Sequence, residues 1–158
     1  MRIEPMSKNN RFMTMIQITG PSRLRSSFIR KSAGRVPKYA GDKCLAPARQ
    51  CLSFHSLVPV PANLIAQPYN SRARTGNGHD WELAHWGCGR GAVQSRVRQE
   101  PGALTYFALT CGGPPTKFVE AVSKLYPGLN FDVLSIDVRS CEEIRAQFSR
   151  GRRRTQVK

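Results

Sequence analysis

The chain has 158 residues, 40% of them hydrophobic, with 25 Lys and Arg against 10 Asp and Glu for a formal net charge of +15. That length suits one domain with extensions, and the apolar share is somewhat short of the usual globular value but enough for one core. No run approaches the roughly 18 apolar residues that span a bilayer, and the N-terminus has no continuous apolar stretch of a secretory signal, which speaks against membrane-spanning and secreted classes.

Residues 1–9 are polar and are expected to lie outside the fold as a disordered extension. Residues 1–35 hold many Arg and Ser and a single acid, Glu4. That composition resembles a transit peptide, but the strand pattern inside it argues otherwise. Phe12, Thr14, Ile16 and Ile18 alternate with other residues and fall on one face of a strand. Gly20-Pro21-Ser22 is a turn with a capping serine, followed by a helix over about Ser22 to Ser32 whose apolar face is Leu24, Phe28 and Ile29. Gly34 to Gln50 is basic and broken by Gly and Pro, the pattern of a mobile loop. In LSFHSLVPVPANL, Leu52, Phe54, Leu57 and Val58 need burial while Pro59 and Pro61 forbid a central strand. An extended segment and a short helical turn near Ala62 to Ala66 are expected there. Asn70 to Asp80 reads as a second loop, ending at Trp81 and Trp86, at least one of which is expected to cover the outer face of the sheet.

Val93 to Glu100 and Ala103 to Cys111 flank Pro101-Gly102 and predict an antiparallel hairpin. The second run is apolar on both faces, with Tyr106 on one and Phe107 on the other, so it is expected to be central and covered on both sides. Pro114 and Pro115 start a helix whose stripe is Phe118, Val119, Val122, Leu125 and Tyr126. Phe107 and Val122 are accordingly assigned to the core. Pro127-Gly128 stops that helix, and Phe131 to Asp137 is a short strand. Ser140 is expected to cap a last helix over SCEEIRAQFSR, with Ile144 and Phe148 at i and i+4, before a basic tail over 150–158.

Without an insertion over about 34–90, the order is strand, helix, strand, strand, helix, strand. The expected fold is α+β: a ferredoxin-like split βαβ (βαββαβ), an antiparallel sheet with two helices on one face. The single domain is expected over 10–149.

The residues also resemble a known family. LSFHSLVPVP, then Trp81-x4-Trp86-Gly87, then LTYFALTCGGPPTKFVEAVSKLYPGLNF, together with Asn10 and Ile16-x-Ile18-x-Gly20-Pro21, resemble the YubB ferredoxin-like family over roughly residues 10–137. Its members are small proteins of phages, plasmids and bacterial genomes without an established activity. The resemblance implies this fold and an accessory or interaction role of mobile-element type. Arg11-Phe12 stands where family members have Trp-Cys, Cys88-Gly89-Arg90 where they have Thr-Lys-Trp, and Cys111-Gly112-Gly113 where they have Ala-Trp-Ser.

The chemistry is sparse. The five cysteines (Cys44, Cys51, Cys88, Cys111, Cys141) are odd in number and form no CxxC, which fits a reducing cytoplasm and no disulfide framework. Cys111 reads as a small buried hydrophobe. His85 and Cys88 form an H-x-x-C, but structural zinc sites use two close ligand pairs and only one is present, so no metal or cofactor is expected. Gly87-Cys88-Gly89-Arg90-Gly91 lacks the Gly-Lys-Ser/Thr ending of a phosphate loop and reads as a flexible turn. No carboxylates pair as a catalytic acid and base, and no enzyme is expected. Trp81, Trp86 and Arg90 are the candidate interaction surface.

Charge is concentrated at the ends: 11 basic to 2 acidic residues over 1–50, 5 to 3 over 51–110, and 9 to 5 over 111–158. A chain this basic attracts polyanions without a specific site, and Arg150, Arg152, Arg153 and Arg154 are the candidate contacts. The run ALTYFALTC does not match the RNA-recognition signature. The reading is a non-catalytic, cytoplasmic interaction protein with an unknown protein partner; the alternative is a nucleic-acid binder acting mainly by charge.

Overall fold

The computed structural model describes residues 10–42, 49–70 and 76–154. In chain order these form β1 (Arg11–Thr19), α1 (Ser22–Ser32), β2 (Gly34–Arg35), β3 (Arg49–Gln50), α2 (Phe54–Leu57), α3 (Ala62–Ile65) and α4 (Gly78–His85). Then follow β4 (Gly89–Glu100), β5 (Ala103–Cys111), α5 (Thr116–Leu125), β6 (Asn130–Asp137), β7 (Glu143–Ser149) and β8 (Arg152–Arg154). One six-stranded sheet runs in the order β4-β5-β1-β6-β7-β8 with every neighbouring pair antiparallel, and β2 pairs with β3 apart from it. The protein is α+β, with a large antiparallel sheet and several helices.

The period of two in β1 sets the two faces. Phe12, Thr14, Ile16 and Ile18 are buried, while Met13, Met15 and Gln17 alternate with them. Ile16 stands between Tyr106 and Val133 in the neighbouring strands. These inward side chains meet Phe28 of α1 and Phe118, Val119 and Val122 of α5 in one core, so both long helices cover the same face. Phe28 packs edge-to-face on Tyr106, Tyr126 and Phe131 at 5.8, 5.2 and 5.7 Å, the arrangement ring quadrupoles favour. Two pairs of buried hydroxyls satisfy each other: Thr14 with Ser135 at 2.7 Å and Ser32 with Tyr106 at 2.8 Å.

Several expectations are corrected at this level. Ser22 does not cap α1; Pro21 precedes the helix and no side chain caps it. Leu125, placed in the buried stripe of α5, is 57% exposed because the helix ends there and turns it outward. The expected mobile loop is pinned where it is described. Tyr39 is 1% exposed, Ala40 bridges to Pro68, and β2 and β3 pair. The insertion joins the core through Leu52, Phe54, Leu57 and Val60, with Phe54 stacked on Phe118 at 3.9 Å.

The expected last helix is a strand. Ile144 and Phe148 fit a helical spacing, yet Ile144, Ala146 and Phe148 equally fit a period of two. The free backbone edge of β6 decides the matter: β7 pairs along it from Phe131↔Phe148 to Ile136↔Glu143, burying Ala146 and Phe148. Ser140 lies in the turn instead, where the Asp137 carboxylate accepts from the backbone N–H groups of Arg139 and Ser140. The basic tail is also corrected for residues 150–154. Arg152–Arg154 pairs with β7, and the Gly151 N–H donates to the Ser123 hydroxyl of α5 at 2.8 Å. Residues 1–9 and 155–158 lie outside the described part, as does Cys44.

Among the described residues the second face of the sheet is open. Phe107 is 39% exposed and Met13 62%, so the placement of Phe107 in the core is corrected; Tyr106 is its buried neighbour. Neither tryptophan covers this face. Trp86 is wholly buried in the core on the helical side, and Trp81 packs against it.

Candidate functional site

Two places concentrate chemistry: a buried carboxylate in α4 and the open sheet face. Asn77 caps α4, its side-chain oxygen accepting from the His79 N–H at 2.8 Å. One turn later Glu82 faces inward and is wholly buried. A bare buried carboxylate is costly, and here donors surround it. The Tyr39 hydroxyl donates at 2.6 Å, the Tyr69 hydroxyl at 2.7 Å and the Arg90 backbone N–H at 2.8 Å.

The last donor explains the glycine-rich run. Arg90 has a φ of 65°, which aims its N–H at Glu82. The Gly87–Gly91 run is thus a shaped collar around Glu82, which corrects the reading of it as a flexible turn. The Arg90 guanidinium lies 3.7 Å from the Tyr69 ring centre and reaches Asp42 at 3.0 Å. Tyr39 lies between β2 and β3, Tyr69 follows α3, Glu82 is in α4 and Arg90 in β4, so one cluster ties parts of the insertion to each other and to the start of β4. Gly78 is required by close approach, because a Cβ there would run into the Tyr39 ring.

Burial drives the electrostatics. It raises the Glu82 carboxyl above the ordinary range, although three donors pull the other way. Burial and the neighbouring Glu82 push both phenols well above the usual tyrosine range. For Asp42, burial acts upward, but the hydrogen bonds from Arg90 and the Tyr39 N–H outweigh it and hold the carboxyl below normal. Phenols held protonated in this way serve as hydrogen-bond donors to the Glu82 carboxyl. The cluster is a clasp.

The sequence-selected residues fall around this clasp unequally. Arg90 is exposed at its tip yet held by Asp42 and the tyrosine rings. Trp81 is half-buried and stacks on His85 at 4.3 Å. Trp86 is fully buried, with its indole N–H donating to the Val58 carbonyl at 3.1 Å, so its place in an interaction surface is corrected. His85 is exposed while the Cys88 thiol is fully buried and raised by that burial. Among the described residues no three His, Cys, Asp or Glu side chains converge as metal ligands. Cys111, expected to be buried, is half-exposed. Tyr39, Tyr69, Asp42 and Glu82 had no mark in the sequence, because their meeting is tertiary.

The open face is built by register. Arg96, Phe107, Met15, Leu134 and Arg145 stand in one row across β4, β5, β1, β6 and β7. The row is an apolar centre with a guanidinium at each side. A shallow groove of about 990 Å³ runs over its β4 side, and a second of about 460 Å³ over its β7 side includes Arg153 and Arg154. Arg98 leans over the Phe107 ring at 5.7 Å. Arg98 and Arg145 have carboxylate partners in Glu100 and Glu143; among the described residues Arg96, Arg153 and Arg154 have none. Arg150 and Arg152 are exposed beside this edge.

No family model matches the chain, and no curated protein matches it. Among solved structures it is similar to the crystal structure of a protein api92 from Yersinia pseudotuberculosis, described by the family model DUF1281. The TM-score is 0.64 at 8% identity, over 90% of this chain and 95% of that one. At such identity the likeness speaks for the fold alone. Among the described residues no helix is long and apolar enough to cross a membrane.

Proposed function

We propose that the chain is a non-catalytic interaction module of the YubB ferredoxin-like family, an accessory protein of mobile-element type working in the cytoplasm. The order β4-β5-β1-β6, with α1 and α5 on one face, supports a ferredoxin-like core extended by β7 and β8. The observation that carries the interaction role is the uncovered sheet face, where Met13 and Phe107 are 62% and 39% exposed beside Met15, Leu134 and Ile136. A contiguous apolar surface rimmed by polar groups is costly to leave in water and marks a binding site.

The test is photo-cross-linking in cells. A benzophenone side chain at position 13 should give specific adducts that the same group at position 125, exposed on the helical side, does not. Equal adducts at both positions, or none at 13, would refute the reading. A second reading, attraction of nucleic acid by charge alone, draws on the placement of Arg152–Arg154 at the sheet edge. Steep loss of affinity for a random duplex with rising salt tests it.

A further inference from the structure

We infer that the open sheet face takes single-stranded nucleic acid, its bases laid on the Phe107–Met15–Leu134 row and its phosphates held by the flanking arginines. This rests on the interaction-module reading and names the partner of that face. Complementarity of two kinds argues for it. The floor is apolar and carries an aromatic ring, and every base has a π-face to lay on such a floor. The rim is cationic: Arg96 on one side, Arg153 and Arg154 on the other, with no carboxylate partner among the described residues.

The dimensions agree. Arg96 and Arg145 close the row four strand spacings apart, about 19 Å at about 4.8 Å per strand. That width suits about two or three bases, the number that sheet platforms stack. A duplex fits poorly, because its bases are hidden and the apolar row would meet sugar and phosphate. A protein partner would have to match five arginines around the face (Arg96, Arg98, Arg145, Arg153, Arg154) against three acids, Glu100 and Glu143 in ion pairs and Asp132 in the β7-side groove. Arg98, already over the Phe107 ring, is placed to close on a base stacked there.

The experiment is fluorescence anisotropy on the full chain with a labelled oligothymidylate, an oligouridylate and a mixed-sequence duplex of equal length. Either single strand should bind more tightly than the duplex, and the tighter of the two names the natural sugar. Phe107→Leu, which keeps an apolar side chain, should weaken single-strand binding about tenfold. The pair Arg96→Ala/Arg154→Ala should lower the salt slope by about 0.7 per arginine. Arg23→Ala/Arg30→Ala removes the same charge from exposed positions of α1, on the covered side, and should change much less. Duplex bound as tightly as single strand, an unaffected Phe107→Leu, or equal losses from both arginine pairs would overturn the inference. If that happens while position 13 still gives specific protein adducts, the interaction-module reading stands without nucleic acid. If position 13 gives none, both fall.

Discussion

Replacing Glu82 by Ala strands three donors at once: the Tyr39 hydroxyl, the Tyr69 hydroxyl and the Arg90 N–H. Each unsatisfied buried donor costs about 1–3 kcal/mol. Tyr39 is 1% exposed and cannot turn to water, whereas Tyr69 is half-buried and can in part. Removing a buried charge also returns some desolvation energy. The expected loss is therefore about 3–4 kcal/mol, a large share of the 5–15 kcal/mol typical of a domain. Urea unfolding with a shared slope measures it. The isosteric Glu82→Gln isolates the charge. Because burial raises the folded-state pKa of Glu82, the folded chain holds that proton more tightly than the unfolded chain. The stabilisation from the protonated form is complete below the ordinary glutamate range. It is lost as pH rises from there through the raised folded pKa, and is flat beyond it. The stability difference between the wild type and Glu82→Gln should follow that course. A loss under 1 kcal/mol for Glu82→Ala, or a difference indifferent to pH across that window, would refute the clasp.

Further outcomes follow from the same contacts. Gly78→Ala should destabilise the fold by about 1–3 kcal/mol through displacement of the Tyr39 ring, and Tyr39→Phe in the same background should add little, as a double-mutant cycle would show. Val122→Asp, at 1% exposure, should abolish the thermal transition, while Phe107→Asp, on the open face, should cost only about 1 kcal/mol in chemical denaturation. Ser123→Ala removes the acceptor for the Gly151 N–H and should raise hydrogen exchange at β8 with little effect on β1.

The sequence alone settled the elements whose periodicity admits one answer. β1 alternates cleanly, Pro101-Gly102 can only turn the hairpin, and the stripe Phe118, Val119, Val122 can bury itself only as a helix. Each is a local pattern of side chains, and local patterns survive into the fold. Tertiary structure decided what depends on which partner is available. Ile144 to Phe148 carries a pattern that serves helix or strand, and the unpaired edge of β6 chose strand. Phe107 and Tyr106 are equally apolar, and only the placement of both helices on one side buried the tyrosine and left the phenylalanine in water. Trp86 became core and Arg152–Arg154 became an edge strand for the same reason. Glu82, Tyr39, Tyr69 and Asp42 were invisible, and Arg90 was singled out without its partners, because a carboxylate announces nothing about its donors. Their pairing arises only once burial makes an unpaired charge intolerable and the chain must bring donors to it.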